Sequence, residues 1–208
     1  DGITHAVPVY ETYVLQRQVQ RQDIAGQNIT EYLAKMLAEK GHLQRIDGRI
    51  SRQDLFKVNK IKEETVYIAS NFEEESQSAS PQKIMLNDKE IMVSKLRFKA
   101  PEILFKPALI GMDGETGVHE KVVNAVMNSD LEIRQTLLQN IVLSGGTSKI
   151  PGFVQRFSKE LSALLPDGMP FNVIAPDERE LSVWRGELWL TKEYYDEWGP
   201  GVIHKKCF

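Results

Sequence analysis

The 208-residue chain has a single cysteine, Cys207, and four histidines, so it lacks the residues for an internal disulfide framework or a structural zinc site. One cysteine fits a reducing compartment. Basic residues are not in surplus, because 26 Lys and Arg stand against 29 Asp and Glu. Direct nucleic-acid binding needs an excess of cations and is therefore not expected. No apolar run approaches the roughly 18 residues of a membrane span, so no membrane partner is expected.

The sequence does contain enough apolar material to build a core. Apolar residues make up 41% of the chain and charged residues 26%, which is typical of a globular protein. The chain opens with Asp-Gly in strand-like sequence, without an initiator Met. We therefore expect it to be part of a longer polypeptide.

Strand and helix signals alternate in the first part of the chain. β-Branched and aromatic residues in 2–15 predict two strands that turn near 11–12. Capping signals predict helices over 28–39 and 51–69. The stretch 73–83 is polar and contains Ser and Pro, which predicts a solvated loop.

The next part of the chain predicts a hairpin and several helices. Apolar runs on both sides of Asn87-Asp88 predict a β-hairpin over 84–93. Pro101 predicts the start of a short helix. Further helices are predicted over 118–127 and 131–138, the second capped by Ser129-Asp130.

Residues 140–176 carry a strand, a glycine turn, a helix and a second strand. The apolar run 141–143 is broken by Ser-Gly-Gly-Thr at 144–147, an apolar helical stripe follows over 153–165, and 171–174 is apolar again. Such a crossover belongs to a parallel or mixed sheet. Adjacent glycines at the carboxyl end of a strand predict a ligand site, since open α/β sheets bind ligands at that edge. A turn with only conformational duties is the alternative, and the local sequence does not choose between them.

Several blocks along the chain resemble, in family order, actin and actin-related proteins. They are DGITHAVPVY at 1–10, IAG at 24–26, IKE at 61–63, RFKAPE at 97–102, VLSGGT at 142–147, IAP at 174–176, SVW at 182–184 and HKKCF at 204–208. The match spans nearly the whole chain, which resembles the C-terminal half of an actin-like protein.

This resemblance implies an α/β fold. It implies one lobe of the ribonuclease H-like actin ATPase fold, with a five-stranded mixed sheet and flanking helices, plus an α+β outer subdomain. Residues 1–24 and 113–181 would form the inner subdomain of the second lobe. Residues 25–112 would form its outer subdomain, and 182–208 would return to the first lobe. In that family ATP or ADP, with Mg or Ca, lies between the lobes.

The resemblance also implies site residues. The implied nucleotide-binding residues are Asp1, Gly2, Gly26, Lys62, Glu63, Gly145, Gly146 and Thr147. Asp1 and Gly2 match a phosphate-binding loop, and Glu63 matches the position at the ribose hydroxyls. His5 matches the histidine near the attacking water and is the candidate catalytic residue, with a hydrogen-bonded surface histidine as the alternative. No residue of this chain matches a metal ligand.

Departures from the family pattern gather at the implied adenine pocket. Ile150 stands where the family has an aromatic residue, which removes stacking worth roughly 0.5–1.5 kcal/mol. Glu180 stands in place of a lysine, which costs affinity for a polyphosphate. Lys149 stands in place of a methionine, and we expect Lys149 and Glu180 to be two separate solvated charges, with an ion pair across the cleft as the alternative. The other replacements are Asn59 for an arginine and Gln27-Asn28 for an Arg-Asp pair.

Two length differences from the family are also present. The enlarged loop 42–51 is either an interaction site or an idle solvated insertion, and the second is expected. After Gly186 the family has a small-residue helix that lines a docking cleft. Here Gly186 is followed at once by Glu-Leu-Trp, either because that helix is lost or because its residues are missing from this chain.

The resemblance implies two functions. The first is a structural or scaffold subunit of a filament or larger complex, with retained or weakened ATP binding in the cleft between the lobes. The second is a conventional polymerising actin ATPase. Hydrolysis by this chain alone is not expected, because the family's metal-organising aspartates and first phosphate loop lie upstream. A sugar kinase or heat-shock ATPase of the same fold is disfavoured by the order of the blocks.

The resemblance also implies partners and a compartment. Partners would be other actin-like subunits or members of a protein complex. The compartment would be the cytoplasm and its cytoskeleton, with the nucleus or the cilium as alternatives. The eroded adenine contacts favour the scaffold function over the polymerising ATPase.

Overall fold

A computed structural model describes residues 2–87, 89–166, 168–186, 196–197 and 199. The predicted phosphate-loop residue Asp1 and the thiol of Cys207 therefore lie outside the described residues. None of the helices in the described ranges is long and apolar enough to cross a membrane.

The strands are short and pair two by two. They are β1 Thr4–Ala6, β2 Val9–Tyr10, β3 Tyr13–Val14, β4 Gln20–Gln22, β5 Gln82–Leu86, β6 Lys89–Val93, β7 Ile141–Val142 and β8 Val173–Ile174. β1 pairs with β4, β2 with β3 and β5 with β6, all antiparallel, and β7 pairs with β8 in parallel. Both orientations fit an α/β fold with mixed pairing.

The five-stranded sheet implied by the resemblance is not formed among the described residues, whose strands make four two-stranded ladders. A cavity of about 610 Å³ is bordered by residues of β1, β2 and β7.

The α-helices lie on and between these ladders. They are α1 Gly26–Glu39, α2 Arg52–Thr65, α3 Phe72–Ser78, α4 Leu96–Lys99, α5 Val118–Met127, α6 Leu131–Gln139, α7 Phe153–Leu164 and α8 Ser182–Gly186. Short 3₁₀ helices lie at Gln16–Gln18, Pro101–Leu104, Pro107–Ile110, Gly146–Lys149 and Arg179–Leu181. The helix bounds predicted for α5 are confirmed, and the helical turn predicted at Pro101 is present as a 3₁₀ helix.

The predicted start of α1 and the predicted end of α2 are corrected. α1 begins at Gly26, two residues before the predicted cap, and the Asn28 side chain instead accepts a hydrogen bond from the Ala25 N–H at 2.9 Å. α2 begins after Ser51, whose hydroxyl accepts from the Asp54 N–H at 3.0 Å as predicted. It ends at Thr65 rather than at residue 69, because the backbone turns extended at the next residue.

The predicted solvated loop over 73–83 is wrong, because α3 and the start of β5 occupy it. The Asn71 side chain accepts from the Glu73 N–H at 3.1 Å and so caps α3. Three glutamates in its first turn interact favourably with the helix dipole. The Phe72 ring packs edge-on against Phe98 at 5.5 Å between centroids, a contact that the local sequence does not reveal.

The cap predicted for α6 is corrected in part. Asp130 occupies the N-cap position, but its side chain makes no capping hydrogen bond within the described residues. The Ser129 hydroxyl donates to the Ala125 carbonyl at 2.9 Å, so it closes the end of α5 instead.

Two predictions about how strands pair are confirmed. β5 and β6 form the hairpin, with Ile84 opposite Ile91. The unit β7–turn–α7–β8 has the predicted strand–turn–helix–strand order, with Ile141 opposite Val173 in a parallel pair. This unit places the glycine turn at the carboxyl end of β7, where it faces α1 and α2.

Candidate functional site

A cleft of about 600 Å³ lies between the start of α1, one face of α2 and the glycine turn. Residues of α1 within 26–31, of α2 and its end within 55–66, and of the turn within 146–151 line it. The three segments are far apart in sequence. The chain after α2 meets the turn through a hydrogen bond from the Ile68 N–H to the Pro151 carbonyl at 2.7 Å.

The cleft brings together five of the residues implied by the resemblance. They are Gly26, Lys62, Glu63, Gly146 and Thr147. The remaining described ones lie elsewhere. Gly2 is exposed outside the cleft. His5 borders the 610 Å³ cavity instead, and Thr147 lines both cavities. Gly145 immediately precedes the part of the turn that lines the cleft.

The ammonium group of Lys62 is held entirely by the protein. It donates to the Gly26 carbonyl at 3.1 Å, to the Thr30 hydroxyl at 3.0 Å and to the Asn59 side-chain oxygen at 2.7 Å. Burial lowers the pKa of Lys62, and the neighbouring Glu63 carboxylate opposes that shift. Lys62 therefore ties the first turn of α1 to α2.

Two carboxylates on the cleft wall are each held by an amide one helical turn earlier. Asn59 donates to Glu63 at 2.8 Å, and Gln27 donates to Glu31 at 2.9 Å. Both pairs have the i, i+4 spacing that places side chains on one helix face. Glu31 and Glu63 are exposed, so a ligand in the cleft can reach both.

The glycine turn is clamped from behind by the 3₁₀ helix at 179–181. The Gly145 N–H donates to the Arg179 carbonyl at 2.8 Å. The Arg179 guanidinium donates to the Ser148 hydroxyl and carbonyl, both at 3.0 Å. Sequence reasoning assigned no site role to Arg179, Ser148 or Thr30. Each acts through a partner up to 32 residues away, so no local spacing signals it.

Lys149, which lines the cleft, forms an ion pair of 2.7 Å with Glu180. The expectation of two separate solvated charges is therefore wrong. The hydrogen bond from Lys149 lowers the pKa of the Glu180 carboxyl. The clamp between 145–148 and Arg179 sets these two side chains opposite each other, which the sequence separation of 31 residues conceals.

The lining combines a small apolar wall with balanced charge. Leu55, Val66, Ile150 and Pro151 supply apolar surface, and no aromatic residue lines the cleft in the part of the chain that the structure describes. The charged lining residues are two glutamates and two lysines, which cancel. Carboxylate acceptors beside an apolar wall fit the sugar hydroxyls and the flat base of a nucleoside. The described residues include no cluster of His, Cys, Asp and Glu that could hold a metal ion.

A comparison with protein-family models gives one further finding. The model described as Actin matches residues 1–208 of the chain.

Proposed function

Since the chain belongs to the actin family, we propose that it is a structural, scaffold-type subunit whose cleft receives the nucleoside part of ATP or ADP with weakened contacts. The observation that carries the proposal is the meeting of Gly26, Lys62, Glu63 and Gly146 around one cleft. Glu63 supplies acceptors for sugar hydroxyls, and Gly146, which has no side chain, leaves room beside the turn.

Weakened binding is supported by the lining of this cleft. Ile150 buries apolar surface of a base but offers no stacking partner, and stacking adds roughly 0.5–1.5 kcal/mol. Lys149 is engaged by Glu180 and Lys62 is engaged by protein acceptors. Neither cation is free to attract a polyphosphate without giving up an existing contact.

The remaining parts of the proposal follow from the family. The divalent cation that accompanies the nucleotide in the family would find its ligands outside the described residues of this chain. Partners would be other actin-like subunits or members of a protein complex, in the cytoplasm or cytoskeleton. Conventional polymerisation with ATP hydrolysis is the competing function.

Titration calorimetry with ATP on wild-type protein and on Glu180→Lys tests the proposal. We expect weak ATP binding in the wild type and several-fold tighter binding in the variant, because a like charge near the phosphates becomes an opposite one. Glu132→Lys, which makes the same charge change at an exposed position on α6, controls for net charge. Added salt should reduce the gain.

Two results would overturn this proposal. ATP binding absent from both proteins would remove the nucleotide function. Tight wild-type binding with hydrolysis that accelerates on polymerisation would establish the conventional ATPase instead.

A further inference from the structure

Asn59 lies at the centre of the polar network on the cleft wall. Its side-chain oxygen accepts from Lys62 at 2.7 Å and from the Thr30 hydroxyl at 3.1 Å, and its side-chain nitrogen donates to Glu63 at 2.8 Å. Asn59, Lys62 and Glu63 share one face of α2, at i, i+3 and i+4. The two ends of the amide therefore face a cation and a carboxylate.

The chemistry of these partners allows one orientation of the amide. Only the oxygen of Asn59 can accept from the Lys62 ammonium, and only the nitrogen can donate to the Glu63 carboxylate. A flipped amide would lose both hydrogen bonds. Asn59 is half-buried between them, so its position is set from two sides.

The two charged residues of the network, Lys62 and Glu63, differ in the hydrogen bonds that they can still form. Lys62 has three N–H donors, and Gly26, Thr30 and Asn59 accept all three. Glu63 accepts from Asn59 on Oε1, while its Oε2 accepts no hydrogen bond from the described residues. A ligand at this wall therefore meets an oriented carboxylate acceptor and a cation that is already satisfied.

We propose that Asn59 is a positioning residue that makes this wall selective for ligands with sugar hydroxyls. The inference rests on the nucleotide function proposed above. Asn59 keeps the Lys62 ammonium on protein acceptors and holds the Glu63 carboxylate where hydroxyl donors can reach it. The ligand class is a ribonucleotide rather than one that lacks the 2′- and 3′-hydroxyls, because a site built to bond a hydroxyl rejects the analogue without it.

The test compares the affinity for ATP with that for 2′,3′-dideoxy-ATP, measured by titration calorimetry. Asn59→Leu keeps the shape of the side chain and removes both hydrogen bonds. Gln27→Met is the matched control, because Gln27 makes the same amide-to-carboxylate contact at the same cleft without a lysine. Asn59→Ser, too short to bridge both partners, is a second variant in case the leucine variant does not fold.

We expect the wild type to bind ATP about tenfold more tightly than 2′,3′-dideoxy-ATP. This is the affinity ratio that corresponds to one hydrogen bond to a charged group. The ratio of the two affinities should fall toward one in Asn59→Leu and Asn59→Ser and should stay near tenfold in Gln27→Met. A general loss of stability would weaken the binding of both nucleotides equally and leave the ratio of their affinities unchanged. A change in that ratio therefore reports the positioning role of Asn59.

The outcomes separate the two proposals. If the wild type binds both nucleotides and the Asn59 variants keep its preference, the role of Asn59 is overturned and the nucleotide function stands. Equal loss of preference in Gln27→Met would also overturn it. If the wild type binds neither nucleotide, the proposed function fails and this inference fails with it.

Discussion

At the scale of single residues, the two neighbouring glycines of the turn have different requirements. Gly145 has φ +91° and ψ 150°, a region that is essentially closed to residues with a side chain. Gly146 does not have a positive φ, and a Cβ there would meet only the Glu180 Cβ at 3.9 Å, an ordinary contact. The backbone conformation at position 145 therefore requires glycine, whereas the conformation at position 146 does not.

We predict that Gly145→Ala lowers the free energy of unfolding by about 1–3 kcal/mol, the cost of a strained backbone conformation. Gly146→Ala should be neutral or slightly stabilising, because it restricts the unfolded chain without strain. Urea unfolding followed by circular dichroism measures both. Equal losses in the two variants would show that the turn does not distinguish them.

At the scale of elements, α5 shows how a helix predicted from sequence acquires a buried titratable group. The Gly117 N–H donates to the Glu120 carboxylate at 2.7 Å and starts the helix. His119, 9% exposed, then packs against the Phe105 ring at 5.6 Å. Its Nδ1 atom is buried and has no hydrogen-bond partner among the described residues. Burial lowers the pKa of His119, with Arg156 acting in the same direction and Glu160 and Glu120 opposing.

This environment predicts a loss of stability on mild acidification. The folded-state pKa of His119 lies below its ordinary value of 6.5, so the unfolded chain takes up the proton first as the pH falls. The stabilising contribution is complete above pH 6.5 and is lost as the pH falls through the folded-state pKa.

His119→Asn lacks this titration. We therefore expect its stability deficit relative to wild type to be larger near pH 7.5 than near pH 5.5, measured by urea unfolding at each pH. Val126→Ala, at a buried position of the same helix without a titratable side chain, is the control and should show a deficit that does not change between the two pH values. A constant deficit for His119→Asn would contradict the prediction.

At the scale of the whole molecule, one buried ion pair joins the segments predicted to form the outer and inner subdomains. Arg156 on α7 donates to both Glu102 oxygens, at 2.9 and 3.1 Å, and the two side chains are 5% and 1% exposed. Arg156 also donates to the Ala69 carbonyl at 3.0 Å and to Glu160 at 2.5 Å. The guanidinium thus ties Ala69 and Glu102 to α7.

Removing one member of this pair should be far more costly than removing a surface pair. We expect Glu102→Gln to lower the free energy of unfolding by up to about 3–5 kcal/mol, because it leaves the buried guanidinium with only the partly exposed Glu160 as a counter-charge. Lys83→Gln breaks the exposed pair with Glu90 across the hairpin and should cost less than about 1 kcal/mol. Comparable losses in the two variants, measured by urea unfolding, would rule out the proposed importance of burial.

The elements that could be predicted from the sequence are mainly those whose signals lie close together along the chain. The helix α5, the hairpin of β5 and β6 and the β7–α7–β8 unit could be predicted, because their capping and apolar patterns lie within a few residues. β4 could not, since Gln-Arg-Gln carries no strand pattern. Its buried Gln22 donates to the Leu104 and Thr116 carbonyls, more than 80 residues away. The predicted loop over 73–83 was wrong although the Asn71 cap and the three glutamates of α3 are local signals, and the contact of Phe72 with Phe98 lies beyond the local window.

By itself, the sequence indicated the family and predicted the main helices, because apolar spacing and capping residues are local properties. The resemblance supplied the candidate site residues, five of which line one cleft. Only the tertiary structure decided how those residues are engaged. It set Lys62 of α2 on the Gly26 carbonyl and the Thr30 hydroxyl of α1, and it closed Lys149 onto Glu180. Hydrogen bonds and ion pairs require side chains within about 3–4 Å of each other. That proximity arises here from helices and turns distant in sequence, and no pattern along the chain encodes it directly.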